Sequence, residues 1–185
     1  MFRRIPNLLT AARLILVPFL VSSLWQREFR LALALVFVAG ATDAVDGFLA
    51  RHFAWTTRLG AYLDPIADKL LLVCVYVMLA VDSVVPRWLV WLILGRDVLI
   101  LGMVAWGFLF TRIRSFPPSI WGKASTFLQI VTALVLMGTH AFPSQIPQGT
   151  LQHGLVLITA AATIWSGVNY SWRGIRMLTG VIAQT

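Results

Sequence analysis

Charge is scarce in this chain, and acidic charge scarcest: seven Asp and Glu occur in 185 residues, and all charged residues together make up 12%. That is about half of the ~25% usual for soluble domains. The fifteen Lys and Arg are scattered among apolar runs and form no basic stripe on a polar surface, so no nucleic-acid partner is expected. Cysteine is nearly absent. Cys74 is the single one, which excludes an intrachain disulfide framework; set in an apolar run, it is expected to be a buried, inert thiol. Linkers, repeats and low-complexity segments are missing too. A single domain over residues 1–185 is therefore expected.

What the chain has in abundance is apolar surface. Hydrophobic residues account for 59% and the mean hydropathy is +0.83, with eight Trp and eleven Phe. No soluble fold of this size needs so much; an integral membrane protein does. Six apolar segments approach the ~20 residues that cross a bilayer, at roughly 8–25, 31–50, 60–81, 87–110, 121–141 and 152–170. The alternation of barrel strands is absent, so helices satisfy the backbone in lipid. The predicted class is an all-α bundle of six transmembrane helices with a short interfacial segment at the N-terminus. The opening MFRRIPNLLTAARLILVPFLV has the charged start of a signal peptide. Arg13 interrupts its apolar stretch and no small-x-small site follows, which predicts a retained first span.

With alternating spans, Arg3, Arg4, Arg51, Arg58, Arg112, Arg114, Lys123, Arg173 and Arg176 fall on one side. Arg27, Arg30 and Arg87 fall near the other. The positive-inside rule predicts both termini in the cytoplasm of a bacterium, or in the matrix for a mitochondrial inner membrane. A net charge of +8 points to anionic headgroups and phosphate-bearing substrates as partners.

Four of the seven acids then converge on one stretch, TDAVDGFLARHFAWTTRLGAYLDPIADK: Asp43, Asp46, Asp64 and Asp68. Spacings of three and four place each pair on one helix face. Consecutive antiparallel helices would bring the pairs together, with Arg51 to Thr57 as the connecting turn. Acids at membrane depth need partners or a function, and four ionised carboxylates repel. Divalent cations resolve this. All-oxygen ligands without His or Cys favour Mg²⁺ or Mn²⁺, and four carboxylates suffice for two ions, the usual arrangement for displacement at phosphorus. Gly47 and Gly60 permit close approach of a ligand, Ala50 keeps the same face open, and Arg51 suits a phosphate. A small ion or proton transporter is the competing reading, resting on intramembrane acids alone.

The run reads Asp43-x2-Asp46-Gly47-x2-Ala50-Arg51-x8-Gly60-x3-Asp64-x3-Asp68, eight identities over 26 positions. It resembles the motif of the CDP-alcohol phosphatidyltransferase family at every fixed position. The opening IPNLLTAARLILVP resembles that of bacterial phospholipid synthases. The resemblance implies transfer of the phosphatidyl group of CDP-diacylglycerol to an alcohol, with release of CMP. It assigns metal and diphosphate binding to Asp43, Asp46 and Asp64, and the general base, with possible metal contact, to Asp68. Gly47, Ala50, Arg51 and Gly60 would line the cytidine diphosphate site together with Asp43. A homodimer is implied as well.

The acceptor has to be sought in the second half. Residues 95–100, GRDVLI, resemble the Arg-Asp-Val element of the family's cardiolipin synthases, and 122–129 read GKASTFLQ. Phosphatidylglycerophosphate synthases resemble the latter but carry a second lysine at the position of Ser125. Fewer cations suit phosphatidylglycerol, a singly charged diester, over the more highly charged glycerol 3-phosphate. Cardiolipin synthesis is the expected activity, with glycerol 3-phosphate as the alternative acceptor. Arg13, Arg96, Arg112, Arg114 and Lys123 are the candidate acceptor or phosphate ligands. Arg13 has a second reading as a side chain snorkelling to the interface. Arg96 and Asp97 point about 100° apart on a helix and are not expected to pair simply.

Overall fold

The computed structural model of the chain describes residues 5–53, 58–110, 119–144 and 149–182, with side chains described over 12–42, 67–107, 119–144 and 149–176. Six helices follow in order: α1 (Ile5–Trp25), α2 (Phe29–Phe53), α3 (Arg58–Val81), α4 (Arg87–Phe110), α5 (Ile120–Ala141) and α6 (Thr150–Ile182). Among the described residues, three stretches are long and apolar enough to cross a membrane, Arg87–Gly107, Ile120–Ala141 and Thr150–Arg176. Ala12–Trp25 and Phe29–Thr42 are shorter apolar helices.

Helix α1 already includes Ile5 to Asn7, and residues 1–4 of the expected interfacial segment lie outside the described residues. Pro6 is compatible with that early helix start, because a helix's first turn does not use its N–H. The expected turn at 51–57 is also shorter, since Arg51 and His52 lie within α2. Cys74 is partly exposed rather than buried.

The helices cluster into two compact units, Met1–Val84 with Leu134–Gln148, and Val85–Ala133 with Gly149–Thr185. In the first, α1 packs on both α2 and α3. The helices α1 and α3 close with the same device. Arg27 (φ 59°) and Ser83 (φ 61°) take left-handed conformations just past the helix ends. Their amides, and those of Glu28 and Val84, turn back onto the last carbonyls: Arg27 to Leu24, Glu28 to Ser23, Ser83 to Ala80, and Val84 to Leu79. These bonds offset the ~1 kcal/mol strain of a left-handed side-chain-bearing residue. The three residues between α1 and α2 make those helices antiparallel. Helices α1 and α3 run parallel, as two ion pairs of identical sequence separation show: Arg13 with Asp68, and Arg27 with Asp82.

In the second unit, α4 and α6 run parallel. Arg96 meets Ser166, and further along the Met103 methyl lies over Gly174. Helices α5 and α6 are antiparallel and joined by a buried polar seam. Gln129 Nε2 donates to Thr163 Oγ1 at 3.2 Å, and the Thr132 and Thr159 hydroxyls lie 2.6 Å apart. Such bonds hold helices together where lipid removes the hydrophobic drive, each worth roughly 0.6 kcal/mol. Trp91, Leu101, Ile120 and Trp172 stay exposed, as side chains facing hydrocarbon would.

Candidate active site

Antiparallel α1–α2 and parallel α1–α3 make α2 and α3 antiparallel. The C-terminal part of α2 and the N-terminal part of α3 thus lie at one end of the first unit. Those are the stretches that carry the aspartate motif. Asp43, Asp46, Gly47, Ala50 and Arg51 fall on α2, and Gly60 and Asp64 on α3; their side chains lie outside the described residues. Arg112 and Arg114 lie outside the described residues altogether.

Asp68 is described, and it has a partner that sequence reasoning did not supply. Arg13 Nη1 on α1 donates to Asp68 Oδ1. The two ends of this pair differ in setting: the Arg13 side chain is 2% exposed and that of Asp68 is 51% exposed. A snorkelling Arg13 is thereby corrected. Its guanidinium is held inward against α3. The physical reason is charge: a carboxylate on the adjacent parallel helix stabilises a buried guanidinium better than a longer reach to water. The result is a carboxylate fixed in orientation yet open to solvent on about half its surface. That is what a base needs if it is to meet a substrate hydroxyl.

The second unit holds the other described candidates. Arg96 projects from α4 to α6, where Nη2 and Nε donate to Ser166 Oγ at 2.7 and 3.3 Å. Nη1 donates to Asp97 Oδ1 at 2.9 Å. Arg96 and Asp97 therefore do pair, contrary to expectation. Helix geometry separates their Cβ directions, but the long arginine stem folds back, and with both side chains at 9% and 8% exposure an unpaired charge would be costly. Arg96 also lines a crevice of about 500 Å³ between α4 and α6, with Gly95, Leu99, Gly167 and Ser171. Lys123 is exposed on α5. Ser125 is buried, with its hydroxyl 3.5 Å from that of Thr163. A lysine there would put an ammonium into the α5–α6 seam, so Ser125 marks helix packing as much as acceptor charge.

Ser119, Ser166 and Tyr170 join this site and were missed in the sequence. Ser119 caps α5: its Oγ accepts the Gly122 amide at 2.9 Å, and its own N–H donates to Tyr170 Oη at 3.3 Å. A serine directly before an apolar run was a readable N-cap signal. Ser166 and Tyr170 had none. Gly122 makes the convergence possible, since a Cβ there would lie 3.1 Å from Tyr170 Cε2, 3.2 Å from Arg96 Nη2 and 3.2 Å from Ser119 Oγ. Gly95 has open space at the same point. Gly122→Ala is expected to cost about 1–3 kcal/mol by overpacking. Gly95→Ala should cost nothing. Thermal unfolding of the two variants in detergent checks the contrast.

Among the described residues no group of three or more His, Cys, Asp or Glu gathers as a metal site. Comparison with known proteins supplies the wider frame. The sequence model of the CDP-alcohol phosphatidyltransferase family matches residues 3–165. A Drosophila melanogaster protein named probable cardiolipin synthase (CMP-forming) is 31% identical over 179 residues, 96% of this chain and 53% of that protein. A Mycobacterium tuberculosis protein named probable phosphatidylglycerophosphate synthase is 33% identical over 184 residues, covering 95% and 83%. A Rickettsia bellii protein named CDP-diacylglycerol–glycerol-3-phosphate 3-phosphatidyltransferase is 36% identical over 169 residues, covering 90% and 92%. The chain thus spans about half the length of the Drosophila protein and most of the two bacterial ones. An all-helical chain with long apolar spans, the complete aspartate motif and a match over nearly its whole length belongs to the CDP-alcohol phosphatidyltransferase family.

Proposed function

We propose that this integral membrane protein transfers the phosphatidyl group of CDP-diacylglycerol to a glycerol-type alcohol, releasing CMP. The observation that carries the reading is the intact motif from Asp43 to Asp68, with Asp68 held half exposed by Arg13. The acceptor hydroxyl attacks the phosphorus of the phosphatidyl group and the bond to the CMP oxygen breaks. Asp68 takes the hydroxyl proton, because an alcohol is a weak nucleophile at neutral pH. Arg13 keeps that carboxylate aimed. Arg51, Gly47, Ala50 and Gly60 admit and orient the cytidine diphosphate.

The donor set of Asp43, Asp46, Asp64 and Asp68 is all carboxylate, which fits Mg²⁺ or Mn²⁺. Two such ions, when bound, would polarise the diphosphate and offset charge on the departing CMP. The motif end of the bundle is assigned to the cytoplasmic or matrix side, with both termini there and a homodimer as the assembly.

Phosphatidylglycerol is the proposed acceptor, giving cardiolipin. The Asp97 carboxylate neutralises Arg96 and lowers the cationic charge available to a phosphomonoester, which fits a singly charged diester. Glycerol 3-phosphate is the second reading, favoured by the bacterial relatives that this chain covers nearly end to end. Purified protein given CDP-diacylglycerol with each acceptor separately, products identified by mass, decides between them. The expected product is cardiolipin from phosphatidylglycerol, formed at least tenfold faster than phosphatidylglycerophosphate from glycerol 3-phosphate; the reverse ratio installs the second reading. Ion flux in proteoliposomes without any CDP-lipid requirement would favour a transporter instead.

A further inference from the structure

An open pocket with charged residues at its rim lies at the other end of the first unit. It encloses about 350 Å³ at the α1–α2 turn, lined by Arg27, Glu28, Phe29, Arg30, Leu31 and His140 among others. The fourteen residues from Asp68 to Asp82 set this end ~21 Å along α3 from the motif carboxylate. No residue of the aspartate motif lines it.

Both guanidiniums are anchored by the same atom. Arg27 Nε donates to Asp82 Oδ1 at 3.0 Å, and Arg30 Nε donates to the Ala141 carbonyl at 3.0 Å. Arg30 also lies over the Phe142 ring, 5.2 Å from its centre. These anchors leave the terminal amino groups of both forks without a hydrogen bond among the described residues. A fork held at Nε has little freedom left to lose when its outer N–H groups meet an oxyanion. Asp82 balances Arg27, so the cavity's uncompensated cation is Arg30. Glu28 lies between the two arginines in sequence and its carboxylate enters no ion pair among the described residues. His140 also lines the cavity, with its Nδ1 engaged 3.0 Å from the Leu136 carbonyl. From the cavity, Leu31, Ala34 and Val38 continue down α2 as an exposed apolar row at the spacing of one helix face.

We propose that this cavity is a headgroup site for an aminophospholipid of the surrounding bilayer. The phosphodiester meets the terminal amino groups of Arg27 and Arg30, a primary ammonium meets Glu28, and an acyl chain follows the Leu31–Val38 row. Charge chooses the zwitterion. A phosphodiester without an ammonium would sit beside the unpaired Glu28 carboxylate and be repelled by it. A choline headgroup has the charge but no N–H to donate. The site stands apart from the proposed transfer reaction, so either can fail without the other.

The test is lipid titration of the full chain in uncharged detergent, read by thermal midpoint and by native mass spectrometry of bound lipid. Short-chain phosphatidylethanolamine should bind saturably and raise the midpoint, with phosphatidylcholine roughly tenfold weaker, the size of one lost charge-assisted hydrogen bond. The double variant Arg27→Gln, Arg30→Gln should weaken phosphatidylethanolamine by tenfold or more. Because Arg30 also caps α5, that variant can lose stability, and Glu28→Gln supplies the independent measurement. Its side chain holds no part of the fold, and the variant should lose the preference for ethanolamine over choline. Equal binding of the two lipids to the unaltered protein, no saturable binding of either, or a preference that survives in Glu28→Gln would each overturn the proposal.

Discussion

Asp68→Asn is expected to cut CMP release from CDP-diacylglycerol by about 100- to 10,000-fold, the range for loss of a general base, while leaving the fold intact. The amide oxygen of asparagine still accepts the Arg13 hydrogen bond, so the α1–α3 contact survives, but the side chain no longer takes a proton. Asp68→Ala should lose activity to the same extent and also lose stability. It takes the Asp68 carboxylate away from Arg13, which is 2% exposed. Removing one partner of an ion pair costs about 3–5 kcal/mol when both are buried. Here the Asp68 side is half open to water, so about 1–3 kcal/mol is expected. Nucleotide release and thermal unfolding, measured on both variants, separate the two contributions. An asparagine variant within a few-fold of normal turnover would remove Asp68 from the chemistry. An alanine variant as stable as the asparagine one would show that Arg13 does not depend on it.

The parts of this molecule that follow from local pattern were legible in the sequence. Helix α4 was expected at about 87–110 and runs Arg87–Phe110, because its apolar run coincides with its helix. The span expected at roughly 152–170 lies within α6, which continues to Ile182. Hydropathy falls there, but a helix needs only its backbone bonds, and Arg176 lies over the Trp172 ring at 5.0 Å beyond the apolar core. The motif was legible because its chemistry is written in residue types at helical spacing.

Partnerships between distant segments were not legible. Nothing local tells Arg13 that Asp68 is its neighbour, or Arg96 that Ser166 is. Both contacts arise from parallel helices whose register is set by packing across the unit. Ser125 was read by charge alone, and its place in the α5–α6 packing was not legible, since sequence comparison does not show that it faces Thr163. The Arg96–Asp97 pair was missed because Cβ direction was taken for the reach of the whole side chain.

Removal of divalent cations is the second large effect. Four carboxylates brought together at one end of two apolar helices would repel one another, and several would take up protons unless cations were present. Protonated carboxyls neither hold a diphosphate nor accept the acceptor's proton. Turnover should therefore fall to background on chelation, not merely decline. Neutralising one ligand, as in Asp43→Asn, should weaken ion binding and depress turnover together.

The most direct measurement is CMP release by the purified protein after exhaustive chelation and stepwise return of Mn²⁺, with bound Mn²⁺ followed by magnetic resonance on the same samples. The account predicts no turnover without the ion, recovery in step with Mn²⁺ binding, and weaker binding in Asp43→Asn. Turnover that persists in the fully chelated protein, or Mn²⁺ binding that ignores the Asp43 substitution, would contradict it.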